Sequence, residues 1–162
     1  MIKRVTVIVV LAYVFFVFEL VLNAILGSWG KPELLLLLVI FWVLYSGIRY
    51  GIVAAVVSGL IKDMLGVLPF GTYLFVFIAA AYLTTWVRIT LYQPGSPFSR
   101  AVVAFCVLVL SFLIQTMLYL MHHDLHGGEL FFNIFLPQLV TTMVAVTFVF
   151  YRLRDLAVWL KL

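Results

Sequence analysis

Charged residues are scarce in this sequence. Only 10% of the 162 residues are Asp, Glu, Lys or Arg, whereas soluble globular domains have about a quarter. Hydrophobic residues make up 67% of the chain, and the mean hydropathy is +1.27. A soluble domain of this length has no core large enough to bury so much apolar surface. The composition therefore excludes a soluble protein and predicts an all-α polytopic membrane protein with a single domain.

Cysteine is almost absent, and basic patches are lacking. Cys106 is the only cysteine, so the chain forms no internal disulfide and the redox compartment is not indicated. The net charge is +4, but the basic residues stand singly between apolar runs. Nucleic-acid binding requires a clustered basic surface. We therefore expect no nucleic-acid partner and interpret the Lys and Arg residues as topology signals.

Catalytic motifs are also lacking. The sequence contains no H-E-x-x-H, no G-x-S-x-G and no phosphate-binding P-loop. The one group of metal-capable side chains is the segment H-H-D-L-H, which holds His122, His123, Asp124 and His126. Its spacing matches no common zinc pattern, so a solvated loop is favoured over a metal site. We therefore predict a protein that is not an enzyme and has no catalytic, metal or cofactor-binding residues.

Six apolar segments follow one another along the chain. The first, residues 5–26, is too long for the hydrophobic part of a signal peptide and lacks a clear A-x-A cleavage site, so we expect it to be retained. Segments rich in Gly, Pro and Ser separate the others. The expected spans are 5–26, 34–48, 50–66, 72–88, 101–121 and 130–151, and residues 152–162 are expected to form a cytoplasmic interfacial tail.

Residues 34–61 also allow a second interpretation, in which one long tilted helix reduces the count to five spans. The distribution of Lys and Arg decides between the two. With six spans and the N-terminus inside, eight basic residues lie on the cytoplasmic side and two, Lys31 and Lys62, on the outer side. With five spans, six basic residues face outward and Arg49 lies in lipid. The sequence thus predicts six transmembrane helices in one compact bundle, with both termini in the cytoplasm.

Small residues form a stripe in the third expected span. Gly51, Ala55, Gly59 and Asp63 follow at steps of four and share one slowly drifting face of a helix. Small residues at this spacing let a neighbouring backbone approach closely, so that van der Waals packing replaces the hydrophobic drive that lipid does not supply. Glycine is also generally commoner in membrane helices, but the regular spacing favours a packing role.

Polar side chains within the spans need partners, because they are costly against lipid. Glu19 and Asn23 are four residues apart and share a face of the first span. Two interpretations of Glu19 stay open: its face looks into the protein, or its carboxylate reaches the headgroups. Asp63 directly follows Lys62. An ion pair or a helix-end contact is favoured for Asp63 over a proton or ion site, because no second buried carboxylate accompanies it.

Three features of this pattern are shared with a known family. A Pro-Glu pair opens a leucine-rich second span, a glycine-spaced third span ends in an acid, and a Pro-x-Gly turn leads into the fourth span. The residues are Pro32, Glu33, the leucines at 34–38, Gly51, Gly59, Asp63, Pro69 and Gly71. On these features the chain resembles the rod shape-determining protein MreD family, and the resemblance covers most of the chain. Lys62 and the histidine-rich segment are not recognised features of that family.

The resemblance implies a non-enzymatic scaffold or regulatory subunit in the bacterial inner (cytoplasmic) membrane. Such a subunit belongs to the rod-shape complex, or elongasome, which organises peptidoglycan synthesis and cell shape. The implied direct partner is the coiled-coil membrane protein MreC. The implied wider complex contains RodA, a class B penicillin-binding transpeptidase and the actin-like protein MreB. The resemblance also implies a fold similar to the S components of energy-coupling-factor (ECF) transporters.

The expected docking surfaces are the small-residue stripe of span 3 and the polar face of span 1. We expect Gly51, Gly59 and Asp63 to pack span 3 against a neighbour, either within the bundle or on the single span of MreC. The alternative function is a substrate-binding, S-component-like subunit of a small-solute transporter. Such subunits dock through A-x-x-x-A spacing on their first helix, whereas span 1 has Ala12 and Ala24 without such a pair.

Overall fold

The computed structural model describes residues 2–27, 32–64, 69–91, 97–120 and 136–159. In these residues the regular structure is entirely helical, as the composition predicts. The six helices of the described chain are α1 (Ile2–Leu26), α2 (Leu34–Ser46), α3 (Ile48–Asp63), α4 (Thr72–Leu91), α5 (Pro97–Leu120) and α6 (Leu136–Trp159).

Helix α2 lies at the centre of the bundle and contacts α1, α3, α4 and α6. Every residue from Leu34 to Leu44 is buried, because a helix that is apolar on all sides can be enclosed by its neighbours. With 13 residues, α2 is about 20 Å long, shorter than a hydrocarbon core of about 30 Å. Since other helices surround α2, the free backbone groups at its ends must find partners within the protein.

Gly47 separates α2 from α3. Its φ of +86° and ψ of 175° lie in a region that is essentially restricted to glycine. The Gly47 N–H donates to the Val43 carbonyl at the end of α2, and the Gly47 carbonyl accepts from the Gly51 N–H in α3. The two helices pack against each other. The interpretation of residues 34–61 as one long helix is therefore wrong.

The small-residue stripe of α3 is buried between α2 and α4. Gly51 lies against Val43 of α2, and Gly59 lies against Tyr73 and Leu74 at the start of α4. A Cβ added at Gly59 would stand 2.6 Å from the Cα of Leu74, so the absence of a side chain permits this close approach. Ala55 and Asp63 on the same helix are also buried. The neighbours that the stripe contacts are thus helices of the bundle itself.

A tight turn at Pro69 and Gly71 leads into α4. The Thr72 N–H and the Thr72 hydroxyl both donate to the Pro69 carbonyl, at 3.2 Å and 2.7 Å. Gly71 has a φ of +98°, which side chains rarely adopt. The turn therefore fixes where the first backbone N–H groups of α4 lie relative to the end of α3.

Some helix bounds differ from the expected spans. Helix α5 begins at Pro97, within a segment that resembles a loop in sequence, because proline is well tolerated in the first helical turn. Helix α6 continues without a break to Trp159, so residues 152–159 of the expected tail prolong it. The histidine-rich segment 122–126 lies outside the described residues.

Three stretches of the described helices are long and apolar enough to cross a bilayer: Lys3–Ile25, Thr72–Thr90 and Leu136–Leu153. Helix α2 and the stretch Ala101–Met117 of α5 are apolar but shorter. These lengths and compositions are those of a helical membrane protein.

We expect both Gly51→Ala and Gly59→Ala to destabilise the protein. A second substitution at a neighbouring side chain should restore stability to the first variant but not to the second. A Cβ at residue 51 would first meet a side-chain methyl of Val43, which Val43→Ala removes. A Cβ at residue 59 would meet backbone atoms of Leu74 and Tyr73, which no side-chain truncation removes. Overpacking of this kind costs about 1–3 kcal/mol.

The measurement is the thermal unfolding midpoint of the purified protein in detergent. Gly51→Ala should lower the midpoint much less in a Val43→Ala background than in the wild type, whereas Leu74→Ala should not relieve Gly59→Ala. A Gly59→Ala variant that unfolds at the wild-type temperature would contradict the packing of α3 on α4.

Candidate functional site

Three charged side chains meet inside the bundle at one of its ends. The Lys62 ammonium lies 3.1 Å from Glu19 Oε1 and 3.3 Å from Glu33 Oε1. Glu19 and Glu33 are only 6% and 5% exposed, so neither carboxylate is screened by bulk water. We call Glu19, Glu33 and Lys62 the buried charge cluster. Burial of these groups is tolerated only because the charges pair and accept further hydrogen bonds.

Two aromatic rings of α4 complete the surroundings of the ammonium. Lys62 Nζ lies 5.0 Å from the centroid of the Tyr73 ring and 5.7 Å from that of the Phe77 ring. Both distances are within the range of cation–π attraction, which strengthens when the cation is removed from water. The ammonium is therefore held by carboxylates and by ring faces together.

The Glu19 carboxylate and the Glu33 backbone also form hydrogen bonds at the start of α2. The Leu35 N–H donates to Glu19 Oε2 at 3.2 Å, and the Glu33 N–H donates to the Thr142 hydroxyl at 3.2 Å. Thr142 in turn donates to the Gln138 carbonyl at 2.6 Å. These bonds satisfy backbone donors that a helix N-terminus leaves free. A carboxylate at this position is also favoured by the helix dipole.

One further side chain connects Glu33 to α5. Gln115 donates through Nε2 to Glu33 Oε1 at 3.3 Å. A small cleft beside Glu33 has room for about one water molecule. Its lining comes from Glu33, Leu108, Phe112, Gln115, Gln138 and Leu139. Glu33 thus has polar neighbours on both α5 and α6.

The buried charge cluster and its neighbours involve every helix of the described chain. They lie where α1, α3 and α5 end and where α2, α4 and α6 begin. The contributing residues are Glu19 of α1, Glu33 and Leu35 at the start of α2, Lys62 of α3, Tyr73 and Phe77 of α4, Gln115 of α5 and Thr142 of α6. Side chains that are far apart in sequence therefore fix one end of the bundle.

Asp63 has a different role from its neighbour Lys62. Its two carboxylate oxygens accept hydrogen bonds from the Tyr73 and Leu74 N–H groups, at 2.9 Å and 3.0 Å. These are free donors at the start of α4, so Asp63 is a helix-end contact. The same bonds hold the beginning of α4, and with it Tyr73, next to the end of α3.

Basic side chains mark the opposite end of the bundle. The Arg88 guanidinium donates to the Val43 carbonyl at 3.1 Å, near the end of α2. Arg4 lies over the Tyr50 ring at 5.3 Å. Helix α2 therefore has carboxylates at its N-terminus and a guanidinium near its C-terminus, both with the sign that the helix dipole favours.

Among the residues singled out in the sequence, Glu19 and Asp63 have partners inside the bundle, and Pro69 and Gly71 form the turn before α4. The carboxylate of Glu19 is turned toward the protein rather than the headgroups. Asn23 is half-buried, and its side-chain oxygen has no hydrogen-bond partner in the described structure.

Sequence reasoning missed the assembly of Glu19, Glu33 and Lys62. The distribution of basic residues places Lys62 on the outer side and gives it no partner, whereas its ammonium pairs with both carboxylates inside the bundle. The available signal was that each polar residue within a membrane helix needs a partner. Across the described residues, no three His, Cys, Asp or Glu side chains come together as a metal site.

A comparison with protein-family models gives one match. The model of the rod shape-determining protein MreD matches residues 1–157, which is essentially the whole chain. Comparisons with curated proteins and with solved structures found no match.

We expect Lys62→Met to destabilise the protein more than the triple substitution Lys62→Met, Glu19→Gln, Glu33→Gln. Methionine keeps much of the volume but leaves two buried carboxylates without a cation, and breaking a buried ion pair typically costs about 3–5 kcal/mol. Glutamine at residues 19 and 33 removes those charges and retains acceptors for the backbone and amide donors. Thermal unfolding in detergent measures both variants, and a triple variant less stable than Lys62→Met would contradict the pairing.

Proposed function

The chain belongs to the MreD family of rod shape-determining proteins, and from this we propose that it is a non-enzymatic scaffold or regulatory subunit of the rod-shape complex. In this role it binds MreC in the inner membrane of a bacterium and helps to organise peptidoglycan synthesis. The observation that carries the proposal is the family match over residues 1–157. RodA, the class B penicillin-binding transpeptidase and MreB are the proposed members of the wider complex.

The geometry of the bundle supports a scaffold. The buried charge cluster pairs within the chain, and the helix-end donors near it have acceptors from other helices. Such contacts fix the positions of the helices relative to one another without any bound solute. A surface of constant shape is what a partner protein needs for docking.

We propose that the chain crosses the membrane six times, with both termini in the cytoplasm. The distribution of charged side chains supports this topology. Of the basic side chains in α1–α4, Lys3, Arg4, Arg49 and Arg88 lie at one end of the bundle, and Lys62 lies at the other, with the acidic side chains. In this arrangement the basic end faces the cytoplasm, and the buried charge cluster lies toward the outer face.

The contacts of the small-residue stripe bear on where MreC binds. Gly51 and Gly59 contact α2 and α4, so a partner helix cannot reach them while the bundle is intact. We therefore propose that Gly51, Ala55, Gly59 and Asp63 shape the bundle, together with Glu19, Asn23, Pro69 and Gly71. The span of MreC then lies on the lipid-exposed surface instead. Exposed aromatic residues on this surface include Tyr13, Trp86 and Phe148.

The transporter alternative has no support in the comparisons, which match the chain to a shape-determining family. Ala12, one of two small residues considered for docking a coupling protein, is fully buried in the bundle. We propose that the fold is similar to that of S components.

The test is to purify the tagged protein from native membranes in mild detergent and identify the accompanying proteins by mass spectrometry. We expect MreC to be recovered with the protein. As a control, an unrelated tagged polytopic protein prepared in parallel should not recover MreC. Recovery of an ATPase pair with a coupling subunit would instead indicate a transporter component. Absence of MreC, with the protein itself intact, would contradict the proposal.

The contacting helix is identified by placing a photo-crosslinking amino acid at Tyr13, Trp86 or Phe148, which lie on α1, α4 and α6. These side chains are 64%, 68% and 71% exposed, so their replacement should leave the packing intact. We expect a light-dependent crosslink to MreC from at least one position. Crosslinks from all positions with equal yield would indicate random collision rather than a docking surface.

A further inference from the structure

The space around the Lys62 ammonium has the composition of a site for a free amine. Its walls are Glu19 before the end of α1, Glu33 before α2, and the rings of Tyr73 and Phe77 in α4. None of these residues belongs to α3, from which Lys62 extends. We infer that this is an ammonium-binding site that the chain fills with its own Lys62, as a covalently attached ligand.

The walls of the site are held in place by contacts that do not involve Lys62. Glu19 accepts from the Leu35 N–H, and Glu33 is held by Gln115 and by the Thr142 hydroxyl. The Tyr73 N–H is held by Asp63. Each wall therefore has contacts of its own besides Lys62, which lowers the entropic cost of binding a ligand there.

The geometry favours an ammonium group that carries N–H donors. The carboxylate oxygens at 3.1 Å and 3.3 Å from Nζ require N–H donors, which a quaternary ammonium does not have. The aromatic faces favour a cation over a neutral hydroxyl of the same size. The carbon chain of Lys62 fills the approach from α3, so an unbranched alkyl chain fits the space that a truncated residue 62 leaves open.

In the intact protein the covalently attached ligand has a high effective concentration, so a free amine does not displace it. The bundle is therefore held in the ligand-bound arrangement at all times. The inference concerns the isolated chain and does not depend on the proposed binding of MreC.

The test uses Lys62→Ala and n-propylammonium, which has the carbon atoms and the ammonium group that this substitution removes. We expect n-propylammonium chloride to raise the thermal unfolding midpoint of purified Lys62→Ala by on the order of 3 °C or more. Sodium chloride at the same concentration is the control for ionic strength. Neither n-propanol nor tetramethylammonium should reproduce the effect, because the first has no charge and the second has no N–H donor.

Two variants serve as matched controls. Lys62→Met fills the approach with an apolar side chain, so n-propylammonium should leave its midpoint unchanged, as in the wild type. Lys62→Ala combined with Glu33→Gln loses one of the two carboxylates, so its response should be clearly smaller. A Lys62→Ala protein that does not respond, or a Lys62→Met protein that responds equally, would overturn the inference.

Lys62→Ala is itself expected to be less stable than the wild type. If it does not survive purification, the measurement becomes its amount in the membranes of cells grown with n-propylammonium chloride or with sodium chloride. An increase of severalfold with the amine, and no increase for Lys62→Met, supports the site. An equal amount under both conditions overturns it.

Discussion

The ammonium of Lys62 lies between the carboxylates of Glu19 and Glu33, and much of the remaining structure depends on this contact. Helix α2 is enclosed by protein, so its N-terminal donors cannot be satisfied by water. Instead, the Glu19 carboxylate accepts from the Leu35 N–H, and the Thr142 hydroxyl accepts from the Glu33 N–H. Two carboxylates without a cation would be too costly to bury. Lys62 therefore makes it possible for a helix as short and apolar as α2 to occupy the centre.

The small-residue stripe of α3 and the buried charge cluster serve the same arrangement. A lysine can pair with Glu33 and also lie over the rings of α4 only if α3 runs close to both α2 and α4. Gly51 and Gly59 permit this, because each lies where a Cβ would collide with a neighbouring helix. In lipid, such close packing and the pairing of polar groups are the available sources of helix association. The glycines bring the helices together, and the ion pairs fix their alignment.

Some of this could be predicted from the sequence, and some could not. Hydropathy predicts the membrane class and the approximate helices, because a bilayer imposes length and polarity on each segment separately. The spacing of Gly51, Ala55 and Gly59 predicts a packing face for the same local reason. The pairing of Glu33 with Thr142, 109 residues apart, depends on which helices are neighbours, and no local pattern contains that information. The pairing of Lys62 with Glu19 and Glu33 could not be predicted for the same reason, because a lysine near the end of a span is equally typical of a topology signal.

A site that recognises an ammonium group can be filled by a solute or by the chain itself, and the two cases lead to different proteins. A bundle that needs a solute changes its stability with the concentration of that solute. A bundle filled by its own lysine has the same geometry at every solute concentration. The second case suits a protein that holds its partners in a fixed arrangement. Its binding surface then does not change with the concentration of a solute. The buried charge cluster thus connects the chemistry of Lys62 to the proposed scaffolding role, because the arrangement of the helices then does not depend on a bound solute.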